Sequence, residues 1–231
     1  MTVDSNSVLE IVTLGSPNAH VLRQVAAPVT FPLSVEDQNI IQLMKEKLLN
    51  IKGVGLAAPQ LGVSKQIIVY LIEDNALKLR KQLGQESLPL TVLINPRYTA
   101  MAGTGMTADW EACFSVDEVT GKVRRYDNIM YSAQDEQGKQ VNAMASGLAA
   151  RVLQHEIDHV QGILFVDRLT PECLQGHPSE MIRLRVSEMD PSQRAAVSTM
   201  LKQLEENVDP NDKAGIERLA QWRKALVEAD K

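Results

Sequence analysis

The chain has 231 residues, 44% of them hydrophobic, and a net charge of −5 at neutral pH. It is long enough to bury one domain with an appendage, and the acidic balance argues against general or specific nucleic-acid binding. Two cysteines leave no disulfide framework, which fits a reducing cytoplasm.

Met1–Ser7 lacks the basic and apolar stretches of a secretory signal. No apolar run approaches the roughly 18 residues that span a bilayer, so no membrane partner is expected. Ser34-Val35-Glu36-Asp37 reads as a capping box opening a helix to about Asn50, with Ile40, Ile41, Met44, Leu48 and Leu49 toward the core. Residues 53–62, GVGLAAPQLG, make a poor helix and a poor central strand. Their small side chains let a ligand or another backbone come close, and the Gln60 amide can donate to a developing oxyanion. A plain Gly/Ala-rich turn is the competing reading of the same stretch.

Strands are expected near 66–72, 90–95, 129–134 and 139–144, the last two joined by a hairpin at Asp135-Glu136-Gln137-Gly138. Cys113 stands in EACFS, residues 111–115, as a metal ligand or a buried small hydrophobe. A helix begins near Ser146 and ends before Gly162, carrying HEIDH at 155–159. His155 and His159 are four apart, so both imidazoles can reach one ion, and Glu156 lies on the same turn as a candidate base. Leu148 and Val152 share the His155 face.

Two ligands do not complete a site, because zinc-like centres take at least three from the protein. The continuation H-x-x-G-x-x-H fails at Phe165. Glu180 is a second candidate, in what reads as a turn after Gly176 and Pro178. Cys113 is the third, giving an S,N,N set suited to zinc or iron. Further on, Asp190-Pro191 caps a helix to about Asn207, and Asn211 or Asp212 caps another with Ile216, Leu219, Trp222 and Leu226 on one stripe. Cys173 carries no evident role.

GVGLAAPQ at 53–60, EACFS at 111–115 and HEIDH at 155–159 resemble, in order and spacing, the three signature motifs of peptide deformylases. Flanking text agrees: Leu93-Ile94-Asn95-Pro96, Gln154, and Gly162-Ile163-Leu164-Phe165. The resemblance covers about residues 8 to 169 and implies a catalytic domain over 1–169 with a helical extension over 170–231. The fold it implies is α+β, with antiparallel or mixed sheets wrapped around a central metal-binding helix. It further implies removal of the formyl group from N-formyl-methionyl peptides during translation. Cys113, His155 and His159 would hold one divalent ion, typically Fe(II), with Zn, Ni or Co able to replace it. Glu156 would move the proton, and Gln60 with the backbone N–H of Phe114 would hold the oxyanion. Gly55 would lie along the substrate backbone, and Val54, Leu148 and Val152 would wall the methionine pocket. Some such enzymes touch the ribosome through a C-terminal helix, but nine Lys/Arg against eleven Asp/Glu from residue 170 on favour a packing appendage.

Two positions depart from the family pattern. Ala112 replaces a glycine, and if that site needs positive φ the methyl strains it by roughly 1 kcal/mol. Thr120 replaces an arginine expected to engage substrate, and Asp117 and Glu118 would make that rim negative. A metallopeptidase using Glu180 and a non-catalytic protein on the same fold are the alternatives.

Overall fold

The computed structural model describes residues 10–79, 85–208, 210 and 213–229. Met1–Ser7 and the proposed caps Asn211 and Asp212 lie outside them.

Helix α1 spans Val35–Ile51. Its capping box forms as expected: the Ser34 hydroxyl accepts from the Asp37 N–H at 3.1 Å, and the Asp37 carboxylate accepts from the Ser34 N–H at 3.2 Å. It buries Ile40, Ile41, Met44 and Leu48. Leu49 does not join them and is 51% exposed, because one residue beyond Leu48 is about 100° further round the helix.

Strands β1 (Gly55–Ala57), β2 (Ile67–Ile72), β3 (Leu88–Ala100), β6 (Asn128–Gln134) and β7 (Gln140–Ser146) form one antiparallel sheet in the order β1-β2-β3-β6-β7. The unbroken apolar run of β2 is explained by burial on both faces. Ile67 and Val69 pack with α1, whereas Ile68, Tyr70 and Ile72 pack with the helix α3, Gly147–Val160. β3 runs past the expected residue 95 because a bulge between Ile94 and Arg97 accommodates Asn95 at φ +52°. The Asn95 amide anchors that bend by exchanging 2.8 Å hydrogen bonds with Val29.

A second sheet was not among the expected strands: β4 (Met106–Cys113), β5 (Val116–Tyr126) and β8 (Gln175–Gly176). β5 alternates poorly in sequence, because Arg125 faces inward while Arg124 faces out. Helix α3 sits between the two sheets, so the fold is α+β with antiparallel sheets around a central helix.

A short helix α2 (Asp74–Leu79) follows β2, and beyond α3 come α4 (Pro178–Ser187), α5 (Pro191–Glu205) and α6 (Lys213–Ala229). The turn expected around Glu180 is instead the first turn of α4, with Pro178 at its opening, where proline's missing N–H costs nothing. Asp190 caps α5 as expected. These helices share their own core of Ile182, Val186, Val197, Leu201, Ala225 and Leu226. Ile216 is exposed and leaves the expected stripe. Glu188 ties the unit to the second sheet, accepting from Trp110 Nε1 at 2.8 Å and Lys122 Nζ at 2.7 Å. No described helix is long and apolar enough to cross a membrane.

Candidate metal centre

α3 presents His155, Glu156 and His159, and the end of β4 presents Cys113. A register break between Glu111 and Cys113 places a bulge at Ala112. Such bulges re-aim the next side chain, here the Cys113 thiol. Its Sγ lies 3.3 Å from His159 Nε2, and one donor atom each from Cys113, His155 and His159 all fall within 4.8 Å of one another. Two donors about 2.3 and 2.1 Å from one tetrahedral ion stand about 3.6 Å apart, so the set fits one ion. Among the described residues it is the one cluster of this kind. Glu180 is not part of it.

The three candidate ligands rest on a buried charge network. Glu111 accepts from Arg125 Nε at 3.0 Å and Nη2 at 2.9 Å, from Arg151 Nη1 at 2.7 Å, and pairs with His155 Nδ1 at 3.0 Å. That last bond fixes the ring and leaves its other nitrogen toward Cys113. Arg125 also reaches Asp158, which Arg168 grips through Nε and Nη2 at 2.5 Å each. Gln154 staples α3 to β5, exchanging bonds of 3.0 and 2.9 Å with the Tyr126 backbone.

Burial raises the Glu111 carboxyl, but His155 and Arg125 outweigh it and hold the group well below the carboxylate range. Burial lowers His155, yet the bonds to Cys113 and Glu111 carry it well above its ordinary value. His159 goes well below, through burial and then repulsion from His155. Glu156 is pushed up to about 7, chiefly by burial. Its Oε2 is buried and accepts no hydrogen bond among the described residues, which suits a carboxylate that works as a base. Its Oε1 lies against Gly55: a Cβ there would stand 2.3 Å from it.

A cavity of about 110 Å³ adjoins these groups, and every pocket residue expected from the sequence lines it: Val54, Leu148 and Val152, beside Gly55, Gln60 and Phe114. The Gln60 carbonyl accepts from the Ala57 N–H at 2.9 Å, which turns its amide nitrogen toward Cys113 Sγ and Ser115 Oγ, both at 3.4 Å. The two departures read differently in space. Ala112 is exposed, and the non-glycine residues with positive φ among those described are Lys52 and Asn95, so its methyl is unstrained. Thr120 is 0% exposed and its hydroxyl donates to the Glu111 carbonyl at 2.7 Å. It is a core residue of β5 and not part of a substrate rim. Sequence reasoning missed the roles of Glu111, Arg125, Arg151 and Asp158. Glu111 lies two positions from Cys113, and that adjacency was the available signal.

Three soft and borderline donors around a small cavity, with a buried carboxylate beside them, define a metal-dependent hydrolase. The particular family follows from comparison with known proteins. The chain belongs to the polypeptide deformylase family, whose sequence profile matches residues 8–175. It is 39% identical over 184 residues to peptide deformylase 2 of Rickettsia conorii, spanning 79% of this chain and 90% of that protein. To peptide deformylase 1 of Prochlorococcus marinus it is 36% identical over 178 residues, spanning 76% and 88%. A crystal structure of class I type b peptide deformylase from Acinetobacter baumannii with Met-Ala-Ser bound superposes with a TM-score of 0.62 at 30% identity, covering 73% of this chain and 100% of that one. Helices α4 to α6 lie beyond the family match.

Proposed function

We propose that this chain hydrolyses the formamide of N-formyl-methionyl peptides, releasing formate and a free amine, with one divalent ion held by Cys113, His155 and His159. The observation that carries the reading is the convergence of one thiol and two imidazoles within 4.8 Å, next to a buried carboxylate. When bound, such an ion lowers the pKa of water toward about 7 and polarises a carbonyl. Glu156 takes the proton from the attacking water and returns it to the leaving nitrogen as the C–N bond breaks. Gln60 and the Phe114 N–H donate to the oxyanion, each such donor being worth about 3–4 kcal/mol. Val54, Leu148 and Val152 receive the methionine side chain, and Gly55 lies along the peptide backbone.

The ion is Fe(II), which a thiolate and two imidazoles suit, with Zn, Ni or Co able to replace it. Residues 1–169 are the catalytic unit and 170–231 the extension. The enzyme works in the cytoplasm on nascent chains.

The test is turnover of formyl-Met-Ala-Ser by anaerobically purified, Fe(II)-loaded protein. Formate release supports the reading, and no release from fully loaded protein overturns it in favour of a non-catalytic relative. Cys113→Ser should strip the metal. Retention of a full complement would rule out the thiolate ligand.

A further inference from the structure

The cavity at Cys113 is bounded at its mouth by Val54 and Phe114, large apolar side chains 40% and 43% exposed. Each also lines a larger cavity. Val54 opens on one of about 540 Å³ with Leu49, Met200 and Leu204. Phe114 opens on one of about 460 Å³ with Ile51, Met200, Leu204, Leu219 and Trp222. The far wall of both is α5, joined in the second by α6. The three cavities therefore adjoin at Val54 and Phe114 and lead from the metal centre to the helical extension across the end of α1, with Lys52, Glu73, Gln203 and Arg218 at the polar edges of the outer two.

This path carries a consequence for the substrate, and the argument rests on the deformylase reading above. With the first residue's side chain in the inner cavity, the peptide must leave over Val54 and Phe114. An extended chain advances about 3.3 Å per residue and turns successive side chains to opposite sides, so with the second residue on the rim the third and fourth face the two different outer cavities, beyond Val54 and beyond Phe114. The outer cavities are large enough to take them. We infer that α5 and α6 complete the peptide groove and select apolar side chains at the third and fourth positions of the formylated substrate. Continuity through Val54 and Phe114 is what assigns this groove to substrate, since an isolated patch elsewhere would say nothing of its occupant.

The experiment compares kcat/KM for formyl-Met-Ala-Leu-Leu and formyl-Met-Ala-Ser-Ser. Burying a leucine-sized side chain favours the first by about tenfold or more. Leu204→Gln should cut that ratio at least threefold. Met200→Gln, at a half-buried position, is the second variant in case the first loses helix by circular dichroism. Equal kcat/KM for the two peptides in the unmodified enzyme overturns the groove and leaves the deformylase reading intact. No turnover of either peptide overturns the reading beneath it. Concentration-dependent dimerisation abolished by Leu204→Gln, without any peptide preference, overturns the inference by assigning the groove to a second copy of the chain.

Discussion

Replacing Gly55 with alanine should disable the proposed general base, Glu156, while leaving the candidate ligand set alone. The added Cβ would sit 2.3, 2.7 and 2.8 Å from Oε1, Cδ and Cγ of Glu156, well inside any real contact. Gly55 does not have positive φ, so the backbone tolerates alanine; the fall in kcat comes from this collision, and any clash with the peptide backbone along Gly55 shows in KM. Neither partner moves easily, since Gly55 is paired with Tyr70 in the sheet and Glu156 is buried on α3. Overpacking of this kind costs about 1–3 kcal/mol, and an off-rotamer glutamate about 0.5–1.5 kcal/mol. In a protein of this size that lowers Tm by a few degrees. Displacing a reacting group by about 1 Å costs on the order of a hundredfold. The assay is kcat on formyl-Met-Ala-Ser together with metal content. The expected outcome is a kcat loss of about 100-fold with metal unchanged. In a Glu156→Gln background the same change should add little further loss, because both substitutions act through one side chain. A kcat within threefold of the unmodified enzyme, or additive losses in the double variant, would refute the reasoning.

Three further outcomes are expected. Glu111→Gln leaves the buried guanidinium groups of Arg125 and Arg151 undercompensated, a loss of about 3–5 kcal/mol, so Tm should fall by about 10 °C; a fall under 2 °C would count against the network. In chelator-treated protein, the raised Glu156 carboxyl binds its proton more tightly folded than unfolded, so its contribution is full below the unfolded value and is lost as pH rises through about 7. Urea titration should then find Glu156→Gln more stable than the parent at pH 8.5 by on the order of 3 kcal/mol, with the gap closing at pH 4; a gap independent of pH would be the contrary result. Thr120→Arg, which restores the family residue, should lower Tm by several degrees without lowering KM, because position 120 is buried in β5; an improved KM would place it at the rim after all.

Local signals explain what could be read in the chain. The Ser34 box, the hairpin at Asp135–Gly138 and the HEIDH helix each announce themselves within a few residues, and all three formed as expected. Leu148 and Val152, placed on the His155 face by helical spacing, both line the cavity, whereas Val54 reaches it from the Gly/Ala-rich stretch. The second sheet escaped because its turn, Phe114-Ser115, contains no glycine, proline or asparagine, and because β5 buries an arginine where alternation calls for an apolar residue. The charge network was equally hidden: Arg125 and Arg151 meet Glu111, and Arg125 meets Asp158, only after strands and helix are assembled. Leu49 was misread because periodicity defines a face but not its width.

The Glu111 carboxylate has both oxygens engaged, by two arginines and one imidazole. Its neighbours are therefore oriented by charges the polypeptide itself carries. A cradle fixed in this way exists before any cation arrives. Demetallation and reloading should proceed without refolding, and different ions can be exchanged into one rigid frame.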